Sequence, residues 1–413
     1  MRRWLLALLL VLAPAGARAQ AEPGANLRIY LLTAGPGDAI YERFGHNAIL
    51  VRDTATRQDS VYNFGTFEIP EGLGGLLSFA WQFARGTPHY WLGEDDMQET
   101  MATFTERHRN LTAQELNLTP AQRIDLATRL AVNLRPENRT YVYDYFRDNC
   151  STRVRDVLDA VLGGTLRRAT RDHLTAHGYR YHTLRSLDNT RLIMVGIDAS
   201  FGAPADQPID QWQEMFLPQK LHDRIAELRV PGADSGTSLP LVKAELPLLT
   251  FSEYRVESAP PHWLRWLPGG GVLLALLIVL GLRRDGFGSA GRVVASIWLL
   301  VAGFAGLTLA FFWLGTNQVF TYHNVNLFFL NPIDLLLIPV VWMARPLAPS
   351  RWRDGLIGLV MVGTVVGGGL LALSLPGHQD AVVGLTAMLP TLAAAVVAGR
   401  GREAVVMPVS SGF

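Results

Sequence analysis

Cysteine is almost missing from this 413-residue chain, which holds one, Cys150. No disulfide can close within it, so a small scaffold stapled by cysteine pairs is excluded. Charge is scarce too, at 18% of residues, and nearly cancels to a net +1. A nucleic-acid partner is therefore not expected, since binding a phosphate backbone takes a clear basic excess. Metal-ligating patterns are thin: His173 and His177 are four apart and His182 follows, but no carboxylate or cysteine completes a set. Neither a metal nor a cofactor is expected. No internal repeat is visible, and the glycosylation-like triplets at Asn110 and Asn138 are too short a pattern to carry a role. What the chain does have is apolar residue, with a mean hydropathy of +0.17, and it is unevenly spread.

The N-terminus reads as a secretory signal over residues 1–19. Arg2 and Arg3 supply the positive start, Trp4 to Leu12 the apolar stretch, and Ala17-Arg18-Ala19 a small-x-small cleavage site after Pro14. The apolar run is short for a bilayer span; an uncleaved signal anchor is the alternative. No cysteine follows the cleavage site, so the chain is not expected to be a lipoprotein itself. Residues 20–262 then form an exported domain, 263–400 a membrane domain of about five helices, and 401–413 a cytoplasmic tail. The five apolar stretches are 267–282, 293–314, 327–343, 355–375 and 381–398. One set of connections carries Arg283, Arg284, Arg292, Arg345, Arg351, Arg353, Arg400 and Arg402. The other set, 315–326 and 374–380, has no Lys or Arg. The positive-inside rule puts the Arg-bearing set in the cytoplasm and the domain before residue 267 outside, as the signal peptide requires. The outer loop 317–326 is polar, with Tyr322, His323, Asn324 and Asn326. Asn331-Pro332 inside the next apolar run predicts a kink or re-entrant entry.

Within the exported domain, residues 27–33, 47–51 and 60–64 read as strands, and alternating tyrosines predict another over 140–146. Residues 118–134 read as a helix capped by Thr119 with Pro120 at its first position. Residues 203–208 and 231–240 read as loops, and Pro260-Pro261 as a hinge into the membrane. Asp148-Asn149-Cys150-Ser151-Thr152 leads into Val154, Val157, Leu158, Val161 and Leu162 at helical spacing, closed by Gly163-Gly164. Cys150 therefore sits at a helix N-terminus with Asp148 or Asn149 as cap. There the helix dipole and free N–H groups favour a thiolate and offer an oxyanion hole. A thiolate enzyme needs a base. His46 opens an apolar strand in Phe44-Gly45-His46-Asn47, and Asn63 on the next strand can orient its ring as a third member.

These residues, with Val61-Tyr62-Asn63-Phe64-Gly65-Thr66-Phe67, Leu116-Asn117-Leu118-Thr119 and Pro136-Glu137-Asn138-Arg139-Thr140-Tyr141, resemble the Lnb-type lipoprotein N-acyltransferase family. The order of His on an early strand and Asn-Cys later at a helix start is similar to permuted papain-like proteins, lecithin:retinol acyltransferase and NlpC/P60 relatives among them. The resemblance implies an α+β extracytoplasmic domain of that permuted papain-like kind, followed by an all-α transmembrane bundle in the bacterial inner membrane. It implies transfer of an acyl chain from a phospholipid donor to the N-terminal cysteine amine of a lipoprotein acceptor. On that reading Cys150, His46 and Asn63 are catalytic, and Asn149, Ser151, His323 and Asn326 contact substrate. Residues 73–83, with Trp81, are apolar enough to form an acyl groove, dip into lipid or make a plain core helix. Two other readings stay open: a membrane-anchored cysteine hydrolase of cell-wall peptide or lipid, and a non-catalytic envelope sensor or assembly factor.

Overall fold

The computed structural model describes residues 22–187, 190–232, 237–251, 258–281, 288–343, 350–373, 379–380 and 382–400. The expected signal peptide, the C-terminal tail, and Arg283, Arg284, Arg345 and Arg402 lie outside the described residues.

Alternating apolar residues build an antiparallel meander of β1 (Leu27–Ala34), β2 (His46–Asp53) and β3 (Gln58–Thr66). Then come α1 (Gly72–Arg85), β4 (His89–Asp95), α2 (Met97–Glu106), β5 (Leu111–Leu116), α3 (Pro120–Leu134) and β6 (Thr140–Val142). Next are α4 (Cys150–Val161), α5 (Thr165–Thr170), α6 (Tyr179–Ser186), α7 (Arg191–Ser200), α8 (Gln211–Glu214) and α9 (Pro218–Glu227). A small hairpin of β7 (Arg229–Pro231) and β8 (Ser238–Pro240) precedes β9 (Val242–Leu249). The main sheet runs β6-β4-β3-β2-β1-β5-β9, antiparallel throughout.

Both faces of the sheet are covered. Ile29 and Leu31 of β1 point to one side and pack with Leu126 and Leu130 of α3, Val154 and Leu158 of α4, and Leu221 and Ile225 of α9. Tyr30 and Leu32 point to the other side, against Met97, Met101 and Phe104 of α2. Thr119 caps α3 and exchanges hydrogen bonds with Gln122.

Three expectations are corrected. The strand expected over 140–146 stops at Val142, because the Asp144 carboxylate accepts from the N–H groups of Phe146 and Arg147 and turns the chain. Of the tyrosines that alternate there, Tyr141 lies in β6, Tyr143 stacks on Tyr90 of β4, and Tyr145 sits edge-on to Tyr143. The loop expected over 231–240 carries a strand at each end. Residues 73–83 form α1 but not a core helix, since none of its residues is buried.

The membrane part holds α10 (Leu267–Leu280), α11 (Gly288–Gly315), α12 (Asp334–Trp342), α13 (Arg351–Ala372) and α14 (Val382–Arg400). Four helices among the described residues are long and apolar enough to cross a membrane, the first by counting the turn of 3-10 helix from His262 that leads into α10. The third apolar stretch does not make a continuous span. A 3-10 turn over Val325–Phe328 gives way at Asn331-Pro332 to α12, whose nine residues reach only about 14 Å. Arg292 and Arg353 hydrogen-bond at the far end of the bundle, to Val341 and to Ala398 and Gly399. The Arg-free loops meet the exported domain at the near end. Asn324 Nδ2 donates to the carbonyls of Ala199 and Ser200 at 2.8 and 2.9 Å, Asn326 Nδ2 to Ala199 at 2.8 Å, and Gln379 Nε2 to Phe201 at 3.0 Å. These are the last carbonyls of α7 and its cap, which have no partner within the helix. Side-chain amides of the membrane domain thus cap a helix of the exported one.

Candidate active site

Cys150 is the first residue of α4. Asn149 caps the helix through its side chain, accepting from Thr152 N–H at 2.8 Å, and its carbonyl accepts from Arg153 N–H. That leaves the N–H groups of Cys150 and Ser151 as the unfilled donors of the first turn. The N–H groups of Ser151 and of Asn47, at the start of β2, both face the Cys150 sulfur and favour its thiolate. Cys150 as a residue is partly exposed, packed against the edge of the main core.

His46 opens β2 directly after Gly45. That glycine has a φ of +85°, and a Cβ there would lie 2.6 Å from the Ala34 carbonyl oxygen, so only glycine lets the chain enter the strand at this angle. On the neighbouring strand, the β3–β4 register breaks between Asn63 and Thr66, where Gly65 takes a φ of +84° and lies against Cys150. The bulge turns the Asn63 side chain toward the ring of His46.

The hydrogen bonds fix the roles of each atom. Asn63 Nδ2 donates to Asp95 Oδ2 at 2.7 Å, so its Oδ1 is the atom facing His46. Oδ1 lies 3.0 Å from His46 Nε2 and can only accept, so Nε2 carries a proton. Nδ1 is the ring atom left for the Cys150 sulfur, to which the imidazole is hydrogen-bonded. Asp95 sets Asn63, Asn63 sets the ring, and the ring meets the thiol.

The charges favour an ion pair. Burial pushes the Cys150 thiol up, but the charge and hydrogen bond of His46 and the two backbone N–H groups outweigh it, and the thiol ends below its ordinary range. Burial pushes His46 down, and Arg109 opposes its charge. The Cys150 thiolate and the Asn63 bond outweigh both, so the imidazole is raised above 6.5. The Arg109 guanidinium is buried behind the site, holding the Gly35 carbonyl and Glu42.

The other expected site residues sit differently. Asn149 and Ser151 are buried with their side chains committed, Asn149 Nδ2 to the carbonyls of Tyr145 and Phe216 and Ser151 Oγ to that of Met215. Both side chains are thus engaged in shaping the start of the helix. Asn326 is fully buried in the joint with α7, its amide bonded to the Ala199 carbonyl. His323 is exposed with a φ of +54°, its ring edge-on to Trp313. His173 and His177 are exposed while His182 is buried, and among the described residues no group of three His, Cys, Asp or Glu is placed to hold a metal. Asp95 and Arg109 were not anticipated. Asp95 stands in an acidic run with no distinguishing mark, and Arg109 reaches the site only through the fold.

Comparison with known proteins is specific. No curated protein and no solved structure matches the chain, but two family models do. The Lnb N-terminal periplasmic domain matches residues 19–190, the stretch that carries His46, Asn63, Asp95 and Cys150. The Lnb transmembrane domain matches residues 271–369, from α10 into α13. With both domains present in that order, a periplasmic α+β domain ahead of a membrane bundle, the chain belongs to the Lnb family.

Proposed function

We propose that the protein is a thiol acyltransferase that moves an acyl chain from a membrane phospholipid to the N-terminal cysteine amine of a lipoprotein. The observation that carries this reading is the partly exposed Cys150–His46–Asn63 array. Beside it lies the membrane-domain loop 317–326, whose Phe320 packs on Phe146, four residues before Cys150, with ring centroids 4.7 Å apart. The protein would cross the bacterial inner membrane five times, the broken third stretch included, with the array on the periplasmic side.

In the first half-reaction the Cys150 thiolate attacks the ester carbonyl. The C–S bond forms, the ester C–O bond breaks, and the leaving lysophospholipid oxygen takes the proton from His46. The N–H groups at the start of α4 stand ready for the oxyanion. In the second, the lipoprotein amine attacks the thioester. The C–N bond forms, the C–S bond breaks, and His46 takes the amine proton, which restores the thiolate–imidazolium pair. Asn63 holds the ring throughout.

The test is mass spectrometry of a reporter lipoprotein from a host lacking its own N-acyltransferase. The intact protein is expected to add one acyl chain at the N-terminus and Cys150→Ala none. Lysophospholipid release without acylation would turn the reading toward a hydrolase. An unchanged lipoprotein and no lysophospholipid, at normal expression, would remove the enzyme reading.

A further inference from the structure

The helix α1 is anomalous for a periplasmic domain. It has fourteen residues, mostly apolar, and none is buried. Leu73 is 73% exposed, Leu77 60% and Trp81 53%. A continuous apolar helix face of this size left to water marks a binding or membrane surface. Its position says which. Trp81 stacks on Phe311 near the periplasmic end of α11, with centroids 5.4 Å apart. The backbone N–H of Asn317 donates to the Arg85 carbonyl at 2.9 Å, and Gln318 Nε2 to that of Phe83 at 2.7 Å. The lipid-facing surface of α11 thus continues onto α1, with Trp81 and Arg85 at the level where aromatic and basic side chains meet headgroups.

From α1 a file of rings leads to the thiol. Phe79 stacks on Phe67 at 5.7 Å, Phe67 on Tyr90 at 4.8 Å, and Tyr90 on Tyr143 at 4.3 Å. At the far end, Phe67 is two residues from Gly65, which packs on Cys150, and Tyr143 is close enough to feel the charge of the thiolate. Phe79, Phe67 and Tyr143 are each partly exposed, with the buried Tyr90 packed beneath them as the link between Phe67 and Tyr143.

We propose that α1 lies in the periplasmic leaflet and that this aromatic file binds the acyl chain of a donor phospholipid, guiding its ester to Cys150. The proposal rests on the acyltransferase reading for its donor, but not on any chemical step. The one charged side chain of α1, Arg85, stands at its end over Trp81, and the rest of the face is apolar or neutral. It is one surface with the membrane helix beside it, so a chain already in the leaflet reaches the thiol without crossing water.

The test uses the full chain as Cys150→Ala, embedded in phosphatidylethanolamine–phosphatidylglycerol bilayers holding a phospholipid with a photoreactive group in its acyl chain. After irradiation, labelled peptides are mapped by mass spectrometry. Label is expected on α1 and on the segments of Phe67 and Tyr143. The double variant Leu73→Glu, Leu77→Glu is expected to lose that label at least tenfold while labelling of the lipid face of α13 and the unfolding temperature stay unchanged. Label confined to α10–α14 overturns the proposal, as do crosslinks between α1 helices of two copies in place of lipid. The readout needs no turnover. Label on α1 with no acylation of Cys150 in the intact protein leaves the lipid surface standing and removes the acyltransferase reading alone.

Discussion

Asn63→Ala separates an orienting residue from a bystander. In the native site its amide makes two bonds, accepting from His46 Nε2 at 3.0 Å and donating to Asp95 Oδ2 at 2.7 Å. A hydrogen bond to a neutral ring contributes about 0.5–1.5 kcal/mol, and one to a charged ring about 1.5–3 kcal/mol. The thiolate holds His46 toward its charged form, so the upper range applies, and partial exposure brings it to about 1.5–2 kcal/mol. At about 1.4 kcal/mol per decade, that is a loss of roughly 10- to 30-fold in Cys150 reactivity. Asp95→Asn is a subtler change. The Asn63 amide loses the carboxylate that orients it and can turn its Nδ2 toward the ring, favouring the tautomer that points a proton at the sulfur. The assay is alkylation of Cys150 by iodoacetamide near neutral pH, followed by intact mass on the purified full chain. The expected order of rates is native, Asp95→Asn, Asn63→Ala, then His46→Ala. An Asn63→Ala rate within about twofold of native, or as low as that of His46→Ala, would refute the orienting role.

Other outcomes follow from the same geometry. His46→Asn removes the charge that lowers the thiol and leaves burial, which raises it, so the alkylation profile moves to higher pH; an unmoved profile would remove the ion pair. Gly65→Ala forces a left-handed φ on a residue with a Cβ, costing about 1–2 kcal/mol. Its Cβ stays at 3.4 Å from that of Cys150, whereas Gly45→Ala drives a Cβ to 2.6 Å from a carbonyl oxygen, so thermal unfolding should rank Gly45→Ala as the more damaging. Arg180→Ala strands the buried carboxylates of Asp198 and Asp206, and chemical denaturation should show a loss of about 3–5 kcal/mol. Asn326→Ala removes one cap of α7, so it should cost about 0.5–1.5 kcal/mol in stability and leave the KM for lipid unchanged; a raised KM would restore Asn326 to the substrate site.

The site was legible wherever it rested on local signals. A lone cysteine with Asn before it and apolar residues at helical spacing after it places a thiol at a helix start. Glycine before histidine at the head of an apolar run places an imidazole at a strand start. Illegible were the side chains whose partners come from far along the chain. Asn149 looked like a substrate contact because it flanks the nucleophile, yet it is held by Phe216, 67 residues on. Asn326 looked like a polar group exposed at the membrane surface. It is instead the cap of a helix that ends at Ser200, and no local pattern announces a helix capped from another domain. Asp95 acts through Asn63 only because a bulge in β3 faces the end of β4. The tyrosines at 143 and 145 carried a strand-like period, but Tyr143 packs on Tyr90 of β4 and Tyr145 on Phe44, contacts from far along the chain.

The scarcity of cysteine gains a physical meaning from this geometry. A thiol with a lowered pKa in an oxidising compartment is the kind most readily captured as a disulfide, because the thiolate is the attacking form. A second cysteine within reach would turn the nucleophile into a structural bridge. This chain has none, so no disulfide can close on Cys150 from within it. The start of β2 and the bulge at Gly65 stand on two sides of it, and from Phe67 the stacked rings lead away to Phe79 on α1.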